Sequence, residues 1–192
     1  MFAVIFEVNP RPEAWDEYLG HAATLRPELL AIDGFMANER YASLDRKGWL
    51  VSLSIWRDEK ALVRWRTHAL HHDIQGKGRA SVLADYHLRV GEIVSDTATT
   101  EPLPQNRFDA TEVSPDKAVT LTERMLDTEP GRDGEGFDSI TRPGNALYIK
   151  SWPDLASAEA GIARRPGRHR VVRVIRDYGM FARTEAPQYF PA

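Results

Sequence analysis

Residues 34–58, GFMANERYASLDRKGWLVSLSIWRD, return in shortened form at residues 136–154, GFDSITRPGNALYIKSWPD. Gly34-Phe35 with Arg40 matches Gly136-Phe137 with Arg142 at an offset of 102, and Gly48 through Trp56 and Asp58 matches Gly144 through Trp152 and Asp154 at an offset of 96. A third block, Arg89-Val90, Ile93-Val94 and Asp96, matches Arg170-Val171, Val174-Ile175 and Asp177 at an offset of 81. The blocks keep their order, and the offset falls only between them, as loop deletions in one copy require. A repeat of this length sets the architecture before any single element does. The chain is two homologous units.

The same stretch sets the order of elements inside a unit. Trp49, Val51, Leu53 and Ile55 alternate through to Trp56, the pattern of a strand, and the charged turn Asp45 to Gly48 joins them to a strand from Gly34 to about Ser43. Upstream, Phe2 to Val8 is a short β-rich run that Asn9-Pro10-Arg11-Pro12 stops, because proline cannot donate to a ladder. From Glu13 to about Ala31, the apolar residues Trp15, Tyr18, Leu19, Ala22, Leu25 and Leu29 recur three and four apart, which predicts a helix interrupted or kinked at Pro27. Downstream, Asp58 caps a second helix from about Glu59, and Tyr86 to Val94 is a final strand. The order is βαββαβ, the ferredoxin-like unit.

The second unit in the same order places a strand at Phe108–Val113, a helix from Pro115 to about Leu126, hairpin strands at Phe137–Thr141 and Ala146–Ser151, a helix at Asp154–Ala163 and a strand at Arg168–Arg176. The stretch from Thr97 to Asn106, with two prolines, is a suitable linker, so the units are 1–98 and 107–192. A sheet with helices on one face must bury the other. Two such sheets packed face to face give a pseudo-dimeric α+β barrel, in which one chain supplies both halves. The apolar tail residues Met180, Phe181, Tyr189 and Phe190 either fold back on that barrel or clasp a second chain in a further homodimer.

Composition narrows the function classes. No apolar run reaches the length that spans a bilayer, and the start MFAVIFEVNPRPE has neither a basic leader nor a small-residue cleavage site. The absence of cysteine excludes disulfides, thiolate metal centres and a cysteine nucleophile, and makes the cytoplasm the expected compartment. A net charge of −3 gives no long-range pull toward nucleic acid or anionic lipid, which leaves small molecules and proteins as partners.

The strand FAVIFEV, the stretch PELLAIDGFMANERY, LVSLSIWRDEKAL and above all WRTHALHHDIQGKGR from Trp65 to Arg79 resemble the antibiotic biosynthesis monooxygenase family of dimeric α/β barrels. That family includes small oxygenases that oxidise polycyclic phenols to quinones without metal or flavin, as well as haem-degrading proteins. The resemblance implies an oxidoreductase with a small hydrophobic, aromatic or phenolic substrate, dioxygen as the second reactant and no cofactor. It also implies the site: Trp65 as an aromatic wall that holds the ligand, His71 as the base that takes a phenolic proton, Gln75 orienting substrate or a peroxide oxygen, and Arg79 offsetting developing negative charge. His71, Gln75 and Arg79 are spaced by fours and share a face while the helix lasts. Trp65 and His71 are six apart, about 120° on a continuous helix, so they flank a pocket without touching.

Alternatives remain open at this point. His68 and His72 have the spacing of metal ligands on one helical face, without an evident third ligand. Haem binding or degradation is a second alternative. The haem degraders of the family carry their axial histidine ten residues after the tryptophan, however, and here that position is Gln75. A non-catalytic ligand-binding or interaction protein on the same barrel is a third, since Ala61 stands where the quinone-forming branch has asparagine. In the second unit Trp65 falls on Gly161, and the loop deletion removes the counterparts of His71, Gln75 and Arg79, so one pocket per chain is expected. The run Arg164, Arg165, Arg168, Arg170, Arg173 and Arg176 is expected to be solvated.

Overall fold

The computed structural model describes residues 1–101, 103, 117–126, 134–162 and 166–187. In chain order its elements are β1 (Phe2–Pro10), α1 (Trp15–Ala31), β2 (Phe35–Ser43), β3 (Leu50–Trp56), α2 (Glu59–Arg66), α3 (Ala69–Lys77), β4 (Leu83–Asp96), β5 (Ala118–Met125), β6 (Glu135–Ser139), β7 (Asn145–Trp152), α4 (Leu155–Ile162) and β8 (Arg168–Gly179). The strands close into one barrel in the order β1-β3-β2-β6-β7-β5-β8-β4. Cut at its two seams, the barrel gives β4-β1-β3-β2 and β8-β5-β7-β6, the same ferredoxin-like order twice, and every pairing is antiparallel. The pseudo-dimer within one chain is therefore what the repeat required.

Alternation along the strands decides what fills the barrel. Ala3 and Ile5 of β1, Val51, Leu53 and Ile55 of β3, Val119 and Leu121 of β5, and Val172 and Val174 of β8 all point inward and join one buried cluster with Phe137 and Leu147. The interior is a packed core among the described residues. Polar side chains gather at the barrel's ends and across its seams. At the β2·β6 seam, Arg142 lies 3.2 Å from Glu39, and Ser139 donates to the same carboxylate at 3.0 Å. At the β4·β8 seam, Asp96 takes Arg168 at 2.7 Å and Arg170 at 3.1 Å, which holds its carboxyl at about 2 despite burial. Contacts of this kind lie between protomers in a homodimer, and here they join two parts of one chain.

Two expectations are corrected. The segment Pro115 to Leu126 does not form the predicted helix, because Ala118–Met125 is β5, with Val119 and Leu121 in the barrel core and Thr122 half-buried beside them. Alternation with period two outweighs a helix placed by repeat offset. The connection from Met125 to Glu135 is too short to carry a counterpart of the 17-residue α1. Within the arginine run Arg170 is not solvated either, since it is 6% exposed and paired with Asp96, while Arg168 is exposed and pairs with the same carboxylate and Arg164 and Arg165 lie outside the described residues. The predicted strand Phe108–Val113 and the tail residues Tyr189 and Phe190 lie outside the described residues.

Helices cover the outside of the first sheet unevenly. Gly34, at φ +92, turns α1 into β2 and lets Ala61 of α2 approach to 2.6 Å of where its Cβ would be. Asp58 accepts from the Ala61 N–H at 2.8 Å and caps α2, as expected. Ala61 and Leu62 of α2 pack against Phe2 and Trp56. In contrast, α1 has no buried residue at all along its length. Its Tyr18 and Leu29 are only partly buried against the core, and a cavity lies between the helix and the sheet. No helix among the described residues is long and apolar enough to cross a membrane.

Candidate active site

The cavity has a volume of about 250 Å³ and lies between the outer face of the first sheet and α1, α2 and α3. Its floor is Val4 and Phe6 of β1, Asn38 and Arg40 of β2, Ser52 and Ser54 of β3, and Leu88 and Val90 of β4. These are the outward positions of strands whose alternate residues fill the barrel. Tyr18, Leu25 and Leu29 of α1 form the roof, and Trp65, His71, Gln75 and Arg79 form a wall. All four residues singled out from the sequence therefore meet at one space.

How they meet differs from the expectation for Trp65 and His71. The helix does not run through them: α2 ends at Arg66, Thr67 closes it by donating backbone and side chain to the Val63 carbonyl at 2.9 Å, and α3 restarts after His68. Counting 100° per residue fails across the break. His71 turns back and lies on the Trp65 ring, with centroids 4.2 Å apart and planes 21° apart. On a different line, Trp56 and His68 also stack with Trp65, at 6.5 and 5.9 Å. A ligand therefore meets a Trp65–His71 pair as one wall, with the imidazole already in a stacking position on the indole. Gln75 lies one turn after His71 on α3, and Arg79 sits in the wide turn Gly78–Val82 that follows.

The His71 contact fixes its protonation pattern. Nδ1 is 3.0 Å from the Trp65 carbonyl oxygen, which can only accept, so Nδ1 carries the hydrogen and Nε2 presents a lone pair. Burial pushes the imidazole pKa down to about 4, and the neighbouring His68 and His72 add to that. At neutral pH, His71 is an uncharged acceptor. Tyr18 is shifted the other way, upward through burial, so its hydroxyl stays protonated beside the Arg40 guanidinium that donates to it.

Sequence reasoning missed Tyr18, Asn38, Arg40, Ser52 and Ser54 and the contribution of the second unit. Ile175, Arg176 and Tyr178 of β8 also line the cavity, and so does Arg183 beyond it, which donates to the Tyr86 hydroxyl. A signal was present in Asn38, Arg40, Ser52 and Ser54: four polar residues occupy the strand face that the helices cover, where packing alone calls for apolar ones. Asn38 is fixed there by donating to Ser52 Oγ at 2.9 Å and to the Leu53 carbonyl at 3.2 Å.

The pattern is not repeated in the second unit. A Cβ on Gly161, the position that matches Trp65, would lie 2.3 Å from the Trp152 ring, so that ring occupies the corresponding space. Among the described residues, no group of three or more histidine, aspartate or glutamate side chains is placed to hold a metal. His68 instead lies 3.4 Å from Glu28. Gln75, at the place of the haem degraders' axial histidine, carries a carboxamide, which is outside the usual set of haem-iron ligands.

The family model for antibiotic biosynthesis monooxygenase matches residues 1–77. Over 216 aligned positions, spanning 100% of this chain and 99% of the relative, the chain is 42% identical to a protein named jasmonate monooxygenase ABM from Pyricularia oryzae. Among solved structures, the Rv0793 protein of Mycobacterium tuberculosis aligns at TM-score 0.45 and 22% identity over 49% of this chain and 95% of its own. A putative monooxygenase from Lactobacillus acidophilus aligns at TM-score 0.45 and 8% identity over 92% of this chain and 94% of its own. The match along the full length of a 42% identical relative, with the family match over β1 to α3, means that the chain belongs to the antibiotic biosynthesis monooxygenase family and is a monooxygenase-type oxidoreductase.

Proposed function

We propose that the cavity is the active site of a cofactor-independent monooxygenase acting on a small hydrophobic, aromatic or phenolic substrate with dioxygen. The observation that carries this is the convergence of Trp65, His71, Gln75 and Arg79 on one mostly apolar cavity of about 250 Å³. The stoichiometry needs no further reductant: a phenol gives its proton to a base, the phenolate gives an electron to dioxygen, and the radical pair recombines at a ring carbon. Loss of water from the resulting hydroperoxide then leaves a quinone. Both oxygen atoms of dioxygen are accounted for, one in product and one in water.

Within this scheme Nε2 of His71 accepts the substrate proton, with Nδ1 held by the Trp65 carbonyl. A base whose conjugate acid has a pKa of about 4 is weak for a phenol of pKa near 10, a gap worth about 8 kcal/mol. The site therefore has to stabilise the anion, and Arg79, on the same wall, is the residue assigned to that role. Gln75 orients substrate or the peroxide oxygen. The site lies mainly in the unit 1–98, with 107–192 as the structural partner, and the reaction is assigned to the cytoplasm.

The test is oxygen uptake with a panel of phenols, followed in Trp65→Phe and His71→Ala. A loss of about 10²-fold or more in kcat/KM for His71→Ala supports the assignment, and uptake that survives both changes refutes the site. Binding without uptake makes the protein a non-catalytic carrier on the same barrel. Because the Pyricularia oryzae relative is named for jasmonate, jasmonate belongs on the panel. Uptake with it and with no phenol replaces the phenolic class and keeps the site.

A further inference from the structure

The cavity's polar groups are strongly unbalanced. Six arginines line it, Arg26, Arg40, Arg66, Arg79, Arg176 and Arg183, against a single carboxylate among the described lining residues, Glu59. An apolar space of this size needs no such excess of positive charge to hold a neutral ring. Its floor also holds a buried donor with nothing to bind: Arg40 Nε is shielded from solvent and has no hydrogen-bond partner among the described residues. Among the described residues no carboxylate pairs with Arg40, and its guanidinium lies beside the Tyr18 hydroxyl. That hydroxyl, kept protonated by burial, has a hydrogen left to give. Ser52 is the cross-strand neighbour of Arg40, directly opposite it on β3.

We infer that Arg40 and Tyr18 form an anchoring subsite for a carboxylate on the substrate, separate from the His71 wall where oxidation takes place. The inference rests on the reading of the cavity as a substrate site. A carboxylate has the acceptors this corner lacks: one oxygen faces the Arg40 guanidinium, and the other takes the Tyr18 O–H. The pairing is charge-assisted in a water-poor space, where an unmade bond to a guanidinium is costly. Arg40 belongs to β2 and Tyr18 to α1, whereas His71, Gln75 and Arg79 come from α3 and the turn after it. The substrate is thereby specified as an amphiphile with an oxidisable apolar body and one carboxylate. Neutral analogues of the same shape lose the anchor and leave the guanidinium unpaired.

Calorimetric titration of the full chain with 2-naphthoate, methyl 2-naphthoate and 2-naphthol tests this without requiring turnover. The carboxylate is expected to bind at least tenfold more tightly than its ester, with the preference falling several-fold in Tyr18→Phe and disappearing in Arg40→Gln. Equal affinity for acid and ester in the unaltered protein overturns the subsite, whatever the variants do. Tighter binding of 2-naphthol than of 2-naphthoate also overturns it, because the anion then held is the reacting oxygen. Competition by inorganic phosphate as strong as by 2-naphthoate overturns the carboxylate in favour of a general anion site. Oxygen uptake is read separately: a carboxylate preference without uptake refutes the monooxygenase reading and keeps the subsite, and uptake without the preference does the reverse.

Discussion

Lowering the pH toward 4 places a proton on His71, and the structure makes that proton unwelcome. In an unfolded chain the imidazole has a pKa of about 6.5, whereas burial against Trp65 depresses it to about 4 in the fold. Between those values the unfolded chain binds a proton and the folded one does not, so stability falls as the pH falls. The contribution is complete above pH 6.5 and is lost progressively on the way down to the folded pKa. For a shift of this size the loss at pH 4.5 is about 2.5 kcal/mol. Urea unfolding of the unaltered protein and of His71→Phe at several values between pH 7 and pH 4.5 measures it. Phenylalanine keeps a ring against Trp65 and removes the titration, so the variant's stability is expected to be flatter over this interval by that amount. Proton NMR of the His71 ring gives the pKa directly. A His71 that titrates near 6.5, or a variant whose pH profile runs parallel to that of the unaltered protein, refutes the buried, neutral imidazole and with it the assignment of Nε2 as a standing acceptor.

Other consequences are as direct. Trp65→Ala removes the ring on which Trp56 and His71 stack and is expected to cost about 2 kcal/mol in urea unfolding, with oxygen uptake lost alongside. Glu7→Gln strips the carboxylate that Arg89, Arg46 and His87 share at one end of the barrel. It leaves an Arg89 that is 6% exposed short of charge, at a cost of about 3 kcal/mol. His87 is held at about 9 by Asp177 and Glu7. Its stabilisation is full below pH 6.5 and lost as the pH rises through 9, and in Glu7→Gln NMR should find that loss at a lower pH. Finally, Gly161→Ala drives a Cβ into the Trp152 ring and is expected to destabilise by about 1–3 kcal/mol, while Gly76→Ala meets nothing within 4 Å in α3 and is expected to stabilise by about 0.5–1 kcal/mol in thermal or urea unfolding.

The sequence by itself determined the barrel. The repeated Gly-Phe and Trp-x-Asp blocks, with alternation at Trp49 to Trp56, fix two ferredoxin-like sheets, and burying an apolar sheet face leaves few options but to pair them. The spacing by fours put His71, Gln75 and Arg79 on one face, and the family resemblance of the Trp65 to Arg79 stretch added Trp65 to them. Two kinds of information were not local. One was the break after Arg66, which depends on Thr67 turning back to Val63 and which brings His71 onto Trp65; helical counting cannot foresee where a helix stops being one. The other was everything supplied by distant segments. Arg40, Ser52 and Arg176 sit 13 to 111 positions from Trp65 in sequence, and only the tertiary fold puts them in one cavity. The misplaced helix at Pro115 to Leu126 has the same cause. A strand that completes a closed barrel is held by its neighbours β7 and β8, and that pairing, not local preference, decides its conformation.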